Sequence, residues 1–258
     1  MRIYYYSATG NSLYAAKTIA DGISGCEVVP MSSQKQKATL RESSNTVGFV
    51  FPLHYFGLPL FVSECVKRLD FSEMKYIFAV VTCGNSLFSA ALQQLGKELY
   101  DKGKVLDAGF YVPMVSNYLP LSALPSVEKR QERLKKADLK LQQVISSIAR
   151  REEKAEKEYF SFFCRKINMF WRGSLLAKSS GKFSCSSSCN SCGLCQKVCP
   201  ANNIRMMEGK PEWGPNCQEC LACLHHCPVN SIEFGSRTVG RERYRHPRIT
   251  VQELLRQD

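Results

Sequence analysis

The chain has 258 residues, of which 44% are hydrophobic, so it is long enough for one domain of ordinary size and a second, smaller unit. Its formal net charge of +12 would suit a nucleic-acid-binding protein, but the sequence contains no recognised DNA-binding motif, and we expect no nucleic-acid partner. Two long uncharged runs, residues 43–63 and 108–127, are interrupted by prolines, so neither predicts a transmembrane segment.

The start of the chain and its cysteines bear on location. Met1 leads directly into an apolar pattern without a charged leader or a cleavage site, which predicts no signal peptide. Outside one doubled motif, described below, the cysteines are scattered without a pairing pattern, so we expect no disulfide framework. These features predict a cytoplasmic protein. The scattered cysteines are Cys26, Cys65, Cys83, Cys164 and Cys185.

Five short apolar runs predict the strands of a parallel sheet, because each is almost uninterrupted hydrophobic sequence, as in strands that are buried on both faces. They lie at residues 1–7, 26–31, 46–52, 76–82 and 105–112, and each is separated from the next by enough chain for a helix. A final amphipathic helix begins at about Val127. The alternation predicts an α/β fold with a doubly wound, five-stranded parallel sheet.

A polar loop joins the first strand to the first helix, and a helical apolar pattern follows it directly. At a helix N-terminus, free backbone N–H groups, hydroxyls and the helix dipole all favour a phosphate. The loop is therefore a candidate phosphate site, with an ordinary helix N-cap as the alternative. Its candidate residues are Ser7, Thr9, Gly10, Asn11 and Ser12.

Roughly residues 1–150 resemble the flavodoxins. The loop SATGNS, residues 7–12, matches the phosphate-loop pattern of that family, with Ser12 where the family usually has Thr. The resemblance implies a strand order of 2-1-3-4-5 and an FMN at the carboxyl ends of the strands. It also implies that the loops after the third and fourth strands hold the flavin ring. The residues concerned are Pro52, His54, Tyr55, Phe56 and Gly57 in the first loop and Cys83, Gly84 and Asn85 in the second.

These two loops also show departures from the family. The second loop, residues 82–88, lacks the aromatic residue that commonly covers the second flavin face, and Phe88 is the nearest substitute. Neither loop contains Asp or Glu, so we expect a neutral or positive environment for the ring, particularly if His54 is protonated. A flavodoxin fold that has lost its flavin is the alternative, since a fold alone does not establish a site.

Residues 151–184 are expected to link two domains. An apolar face recurs there at helical spacing, with Arg165 and Arg172 on the other side. The pattern predicts an amphipathic helix whose apolar face packs the domains together, and an anionic membrane surface is the alternative partner. The face consists of Phe160, Phe163, Ile167 and Phe170.

The cysteine motif C-x-x-C-x-x-C-x-x-x-C-P occurs twice in the C-terminal part of the chain. Three closely spaced thiolates suit three irons of one 4Fe-4S cluster, while the fourth, before the proline, ligates the other cluster. The ligand sets are therefore expected to cross, so that Cys227 joins the first set and Cys199 joins the second. The copies are Cys189, Cys192, Cys195 and Cys199, and then Cys217, Cys220, Cys223 and Cys227.

Residues 185–236 resemble the bacterial two-cluster ferredoxins, which implies two 4Fe-4S clusters. A zinc ribbon and a set of disulfides are the alternatives. Zinc sites typically pair two C-x-x-C knuckles, which leaves the third cysteine and both prolines without a role. A basic tail, residues 237–258, follows and is expected to wrap across the first domain or to dock an acidic redox partner.

As a whole, the chain resembles the flavodoxin-ferredoxin fusion proteins of anaerobic bacteria. That resemblance implies an electron-transfer protein in which two 4Fe-4S clusters and FMN exchange electrons within one chain, with other redox proteins as donor and acceptor. Two alternatives stay open. One is a flavin-dependent oxidoreductase that reduces a small organic substrate, and the other is an iron-sulfur redox sensor.

Overall fold

The computed structural model describes residues 1–34, 40–41 and 44–255. Its main sheet has six parallel strands in the order β2-β1-β3-β4-β5-β6, so the order predicted for the first five is confirmed. The sixth strand has only two residues and lies at the edge of the sheet. It falls in a charged run without an apolar pattern, so the sequence does not predict it. The strands are β1 (Arg2–Tyr5), β2 (Glu27–Pro30), β3 (Thr46–Pro52), β4 (Tyr76–Cys83), β5 (Ala108–Pro113) and β6 (Lys154–Ala155).

Helices cover both faces of this sheet, which explains the uninterrupted apolar strands. Alternate residues of β1 point to opposite faces, so Ile3 and Tyr4 belong to two separate hydrophobic cores. One core holds α1 (Asn11–Gly22) and α4 (Val127–Ala149), and the other holds α2 (Leu60–Arg68) and α3 (Ala91–Tyr100). Helix α4 begins where the sequence predicts, and Ser126 caps it by accepting from Lys129 N at 3.4 Å.

The C-terminal domain is small and rests on few regular elements. Its strands are β7 (Phe183–Cys185), β8 (Ile204–Met207), β9 (Lys210–Trp213) and β10 (Ile232–Phe234), which pair antiparallel as β8 with β9 and β7 with β10. Two single-turn helices, α6 (Leu194–Lys197) and α7 (Ala222–His226), follow the two cysteine loops. Several of its cysteines join the same hydrophobic core as α2 and α3, so the two domains share packing.

The linking segment forms α5 (Ser161–Phe170), but its orientation contradicts the prediction. The aromatic face is exposed, and the buried face instead holds Cys164, Asn168 and Trp171. Helical spacing shows which residues share a face, but it does not show which face meets the protein. Here the amide of Asn168 determines which face of the helix is buried, because it donates to His54 O at 2.8 Å and accepts from Gln94 at 3.0 Å.

The tail wraps back across the first domain. Tyr244 donates to the side chain of Asn11 at 2.9 Å, and His246 N donates to Thr9 O at 2.8 Å. The chain ends near α8 (Val251–Leu254), where Glu253 pairs with Lys17 at 2.5 Å. Arg256, counted with the tail in the sequence, lies outside the described residues. Within the described ranges, no helix has both the length and the apolar character needed to span a membrane.

Candidate functional site

A cavity of about 1110 Å³ lies at the carboxyl ends of β1, β3, β4 and β5. This edge of a parallel sheet, where the strand order reverses, is where ligands bind in open α/β folds. The walls come from both domains, because Glu219 and Cys220 of the second cysteine loop line the cavity beside the loops that follow the strands. The two domains therefore build one site together.

The polar loop after β1 provides donors at one end of the cavity. Helix α1 starts after Gly10 and has no side-chain cap among the described residues, so its first backbone N–H groups are free to bind an anion. The hydroxyl of Ser7 accepts from Gly10 N at 3.2 Å, and Ser12 is held by Thr82 at 2.8 Å between the two hydroxyls. Arg133 also lines the cavity and adds a positive charge. This donor set fits a phosphate group.

The tail closes this loop from the outside. Gly10 has a φ of 100°, and a Cβ at that position would lie 2.9 Å from the Cβ of His246 and 3.1 Å from that of Ile249. Only glycine allows this conformation and this approach. The tail therefore sets the position of the loop through direct contact.

The loop after β3 is a tight turn in which His54 and Gly57 exchange both backbone hydrogen bonds, at 3.0 and 2.9 Å. Tyr55 and Phe56 occupy its central positions with φ values of 43° and 64°, a region that aromatic residues rarely adopt. The turn presents both rings to the cavity. Tyr55 is held by stacking on Trp171, with ring centroids 4.2 Å apart. Strained backbone that presents aromatic rings suits a site for a flat ring system.

His54 does not provide a positive charge at the cavity. Its ring is half-buried and lies between Tyr6 and Trp171, with centroid distances of 5.7 and 6.3 Å. Burial lowers the pKa of His54 to about 4, so the ring is neutral at pH 7.

The loop after β4 contributes backbone and small side chains to the cavity. Cys83 lines it, but burial raises the pKa of this thiol to about 12, so it is no nucleophile at neutral pH. Phe88 also lines the cavity and precedes α3 rather than belonging to it, and its ring stacks on Phe160 at 5.3 Å. An aromatic residue is thus present on this side as well.

The loop after β5 belongs to the site, although the sequence analysis did not include it. Asn117 donates to the hydroxyl of Thr9 at 2.5 Å, and Tyr118 lines the cavity beside Tyr55. Its place in the sequence could have identified it, since this loop also follows the carboxyl end of a strand in the sheet.

A buried carboxylate, Glu219, connects the two domains. One of its oxygens accepts from the hydroxyls of Tyr55 and Tyr118 in the first domain. The other accepts from Ser179 and lies 3.8 Å from Lys182 Nζ. The two loops of the first domain carry no acidic residue, so the carboxylate of Glu219 comes to the cavity from the other domain, where Arg133, Lys182 and Arg237 also line it.

The four cysteines expected to bind the second cluster surround one small cavity. They are the first three of the second copy together with the last of the first copy, namely Cys217, Cys220, Cys223 and Cys199. Burial, together with the neighbouring Cys199, raises the pKa of Cys217 to about 11 and that of Cys220 to about 12. Thiols in such surroundings ionise when a metal coordinates them, so metal binding here releases protons.

The remaining cysteines gather around Ser231 and the first loop. The hydroxyl of Ser231 lies 3.2 Å from Cys227 Sγ and 3.8 Å from Cys185 Sγ. The thiol of Cys185 lies beside that of Cys189. Burial raises the pKa of Cys195 to about 11, to which the nearby Cys192 and Cys189 also contribute. Within the described residues, no three or more Cys, His, Asp or Glu side chains converge on a point as a single metal ion requires.

Two buried donors face the cysteines of the second group. The Tyr6 hydroxyl faces Cys220, and the indole N–H of Trp213 faces Cys223. Neither forms a well-aligned hydrogen bond within the described part of the chain. Buried donors without partners are costly, and a cluster with inorganic sulfurs and thiolates supplies acceptors at such positions. This chemistry fits an iron-sulfur cluster.

Two histidines fasten the cysteine loop to the first domain. His225 Nε2 donates to Asn117 O at 2.9 Å while its Nδ1 accepts from Tyr244 N at 3.1 Å, which defines the tautomer. His226 Nε2 bonds to Ala8 O at 3.0 Å. Both rings are buried.

The structure thus brings together most of the predicted flavin-site residues around one cavity. Gly10 and Gly57 do not line it; Gly10 allows the left-handed turn of the first loop, and Gly57 allows the side chains of Gln94 and Asn168 to approach closely. The predicted residues that do line it are Ser7, Thr9, Asn11, Ser12, Pro52, His54, Tyr55, Phe56, Cys83, Gly84 and Asn85.

Comparison with known proteins bears mainly on the C-terminal domain. Among solved structures, similar chains include a protein from Bacteroides uniformis ATCC 8492 assigned as a flavoprotein, with 18% identity, a TM-score of 0.34, and coverage of 43% of this chain and 88% of that one. Another is rubredoxin oxygen:oxidoreductase from the anaerobe Desulfovibrio gigas, with 13% identity, a TM-score of 0.33, and coverage of 57% and 36%. No curated protein matches this sequence. Residues 188–232 match the family of the 4Fe-4S dicluster domain.

Proposed function

We propose that this protein transfers electrons between two 4Fe-4S clusters and one FMN held in the same chain. The observation that supports it most directly is that Cys220, a candidate cluster ligand, and its neighbour Glu219 line the cavity of the first domain. Electron transfer falls steeply with distance, so a cluster loop that forms a wall of the flavin site suits direct exchange. The match to a 4Fe-4S dicluster domain supports the iron-sulfur half independently.

Different loops of the chain would bind the phosphate and the ring of the flavin. The free N-terminus of α1, with Ser7 and Ser12, would bind the phosphate, and Arg133 would balance its charge. Tyr55 and Phe56 would contact the ring from the turn after β3. Bound FMN accepts two electrons and can release them singly, whereas each cluster passes one at a time.

The proposed cluster ligands follow the crossed pattern. Cys199 would complete the set of Cys217, Cys220 and Cys223, with which it shares a cavity. Cys227 would complete the set of the first copy, which it approaches through Ser231. All thirteen cysteines lie within the described residues and none forms a disulfide, so the eight motif thiols are available to iron. The proposed setting is the reducing cytoplasm, where thiols stay reduced.

Cofactor analysis of protein purified without oxygen tests this proposal. We expect about eight irons, about eight labile sulfides and one FMN per chain, as two four-iron clusters require. Stoichiometric zinc in place of iron would contradict the cluster half, and iron without flavin would leave the first domain as a scaffold.

Replacement of Cys199 by Ala tests the crossed ligation. We expect loss of the cluster bound by Cys217, Cys220 and Cys223, although Cys199 belongs to the first motif. Electron paramagnetic resonance of the reduced protein can follow each cluster. The matched control is Cys185→Ala, which removes a nearby thiol that belongs to neither set. Loss of the cluster at Cys189, with the other intact, would show that the sets do not cross.

Reduction of a small organic substrate at the flavin is a second candidate function. The cavity, at about 1110 Å³, is larger than most single-ligand pockets, which measure roughly 300–1,000 Å³. Exposed Phe56, Phe88 and Leu121 form its rim and leave room for an apolar molecule beside the flavin. Steady consumption of a small-molecule acceptor by the reduced holoprotein would favour this function over electron transfer to a protein.

A further inference from the structure

Helix α5 and the residue before it carry an exposed aromatic cluster, of which, among the described residues, only Phe160 packs on another ring, that of Phe88. The rings of Phe162 and Phe163 are each 63% exposed, and Phe160 and Phe170 are each 62% exposed. Met169 is similarly exposed. We call these five residues the α5 patch. Soluble proteins rarely leave so many large apolar side chains together in water, and such clusters mark interaction surfaces.

The exposure is fixed by how the helix is anchored. Asn168 and Trp171 secure one face through the hydrogen bonds to His54 and Gln94 and the stacking on Tyr55. The patch therefore cannot turn inward without breaking those contacts. Phe160, which precedes the helix, has a φ of 59°, a left-handed conformation that a phenylalanine rarely adopts.

The charges on α5 itself have one sign. No acidic residue occurs between Glu158 and Glu208, while the helix carries Arg165 and Lys166 in the middle of the aromatic run. Lys166 Nζ lies 4.5 Å from the ring centre of Phe162. In the part of the chain that the structure describes, neither cation forms a salt bridge. The exposed face of the helix is therefore both apolar and positively charged.

We propose that the α5 patch docks this protein on an anionic lipid bilayer. Aromatic and basic residues on one short amphipathic helix are the composition that lies in a membrane interface, with the rings at the headgroup boundary and the cations against anionic lipid. Because Arg165 and Lys166 form no salt bridge in the described residues, they favour an anionic surface over a neutral one. Docking of this kind needs no spanning helix, and none occurs among the described residues.

Vesicle co-sedimentation of the holoprotein tests the proposal. The probes are vesicles of phosphatidylcholine alone and of equimolar phosphatidylcholine and phosphatidylglycerol, each at low and high salt. We expect binding to the anionic vesicles at low salt, weaker binding at high salt, and little binding to neutral vesicles. Equal binding to both vesicle types, or binding to neither, would overturn the proposal.

Paired variants assign the binding to the patch. Phe162→Ser with Phe163→Ser should weaken partitioning by about tenfold for each ring lost. Arg165→Gln with Lys166→Gln should weaken it by about fivefold for each charge. Because the altered side chains are exposed, the absorption spectrum of the bound cofactors should stay unchanged.

Matched controls lie on α4, which packs on the opposite face of the sheet. Leu139→Ser removes a leucine that is 69% exposed, and Lys129→Gln with Lys135→Gln removes two exposed charges. Both controls should bind vesicles as the wild type does. The proposal fails if the controls weaken binding as much as the patch variants do. It also fails if light scattering shows a dimer that Phe162→Ser with Phe163→Ser dissociates, because the partner would then be a second copy.

Discussion

Single side chains from the first domain reach into the cluster domain, and Tyr6 is the clearest case. It directly follows β1, is buried, and points its hydroxyl at Cys220. A strand end of the six-stranded parallel sheet thus forms part of the environment of the proposed second cluster. Hydrogen bonds to cluster sulfurs are one of the main means by which proteins set cluster potentials.

Replacement of Tyr6 by Phe should lower the reduction potential of the cluster at Cys217, Cys220 and Cys223. The hydroxyl stabilises the more negative reduced state, and loss of one hydrogen bond to a charged group, about 1.5 kcal/mol, corresponds to about 60 mV for one electron. Anaerobic redox titration followed by electron paramagnetic resonance measures the shift. Tyr5→Phe, on the opposite face of the sheet, is the control. An unchanged potential in Tyr6→Phe would show that the hydroxyl does not reach the cluster.

Among the larger elements, the phosphate loop and the tail act as one unit. The tail was expected to cross the first domain or to dock a partner, and its described part crosses the domain at Thr9, Gly10 and Asn11. The loop therefore depends on a segment more than 230 positions away in sequence.

Replacement of Gly10 by Ala should weaken FMN binding at least tenfold, a loss of about 1.4 kcal/mol or more. The added Cβ meets the Cβ of His246 at 2.9 Å and also strains a backbone with a φ of 100°. Quenching of flavin fluorescence on titration measures the affinity.

Gly25→Ala is the matched control, because Gly25 also has a positive φ, of 73°, but faces open space. This variant should lose stability through strain alone and bind FMN as the wild type does. If both variants bind FMN equally, then contact between tail and loop does not shape the phosphate site.

At the scale of the whole molecule, histidines that the fold keeps neutral make the stability depend on pH. Burial lowers the pKa of His54 and of His246 to about 4, while an unfolded chain titrates near 6.5. Between pH 4 and pH 6.5 the unfolded state binds more protons than the folded state, so lowering the pH favours unfolding. The unfolding free energy therefore has its full value, as far as these groups are concerned, above pH 6.5. The contribution is lost as the pH falls from 6.5 towards 4.

The unfolding free energy should therefore fall by about 2 kcal/mol per histidine between pH 7 and pH 5. His246→Phe keeps a ring against Tyr14, where the two rings now stack at 4.2 Å, and removes the titrating group. Urea unfolding of the anaerobic holoprotein, followed by tryptophan fluorescence, should show a shallower pH dependence for this variant. Identical slopes in the variant and the wild type would show that His246 does not carry the effect.

The sequence by itself determined the features that depend on local pattern. Uninterrupted apolar runs predicted the five long strands, and the resemblance carried by the SATGNS loop supplied their order, which the sheet confirms. The doubled cysteine motif predicted the domain that matches the 4Fe-4S dicluster family. Spacing of this kind is readable because the ligands or the period lie within a few residues of one another.

Only the tertiary structure decided which surfaces meet. It exposed the aromatic face of α5 because the buried amide of Asn168 takes its partners from two distant loops. It placed Glu219 in the cavity of the other domain, and it neutralised His54 by burial. Burial and hydrogen-bond partners depend on residues far apart in sequence, so no local pattern records them.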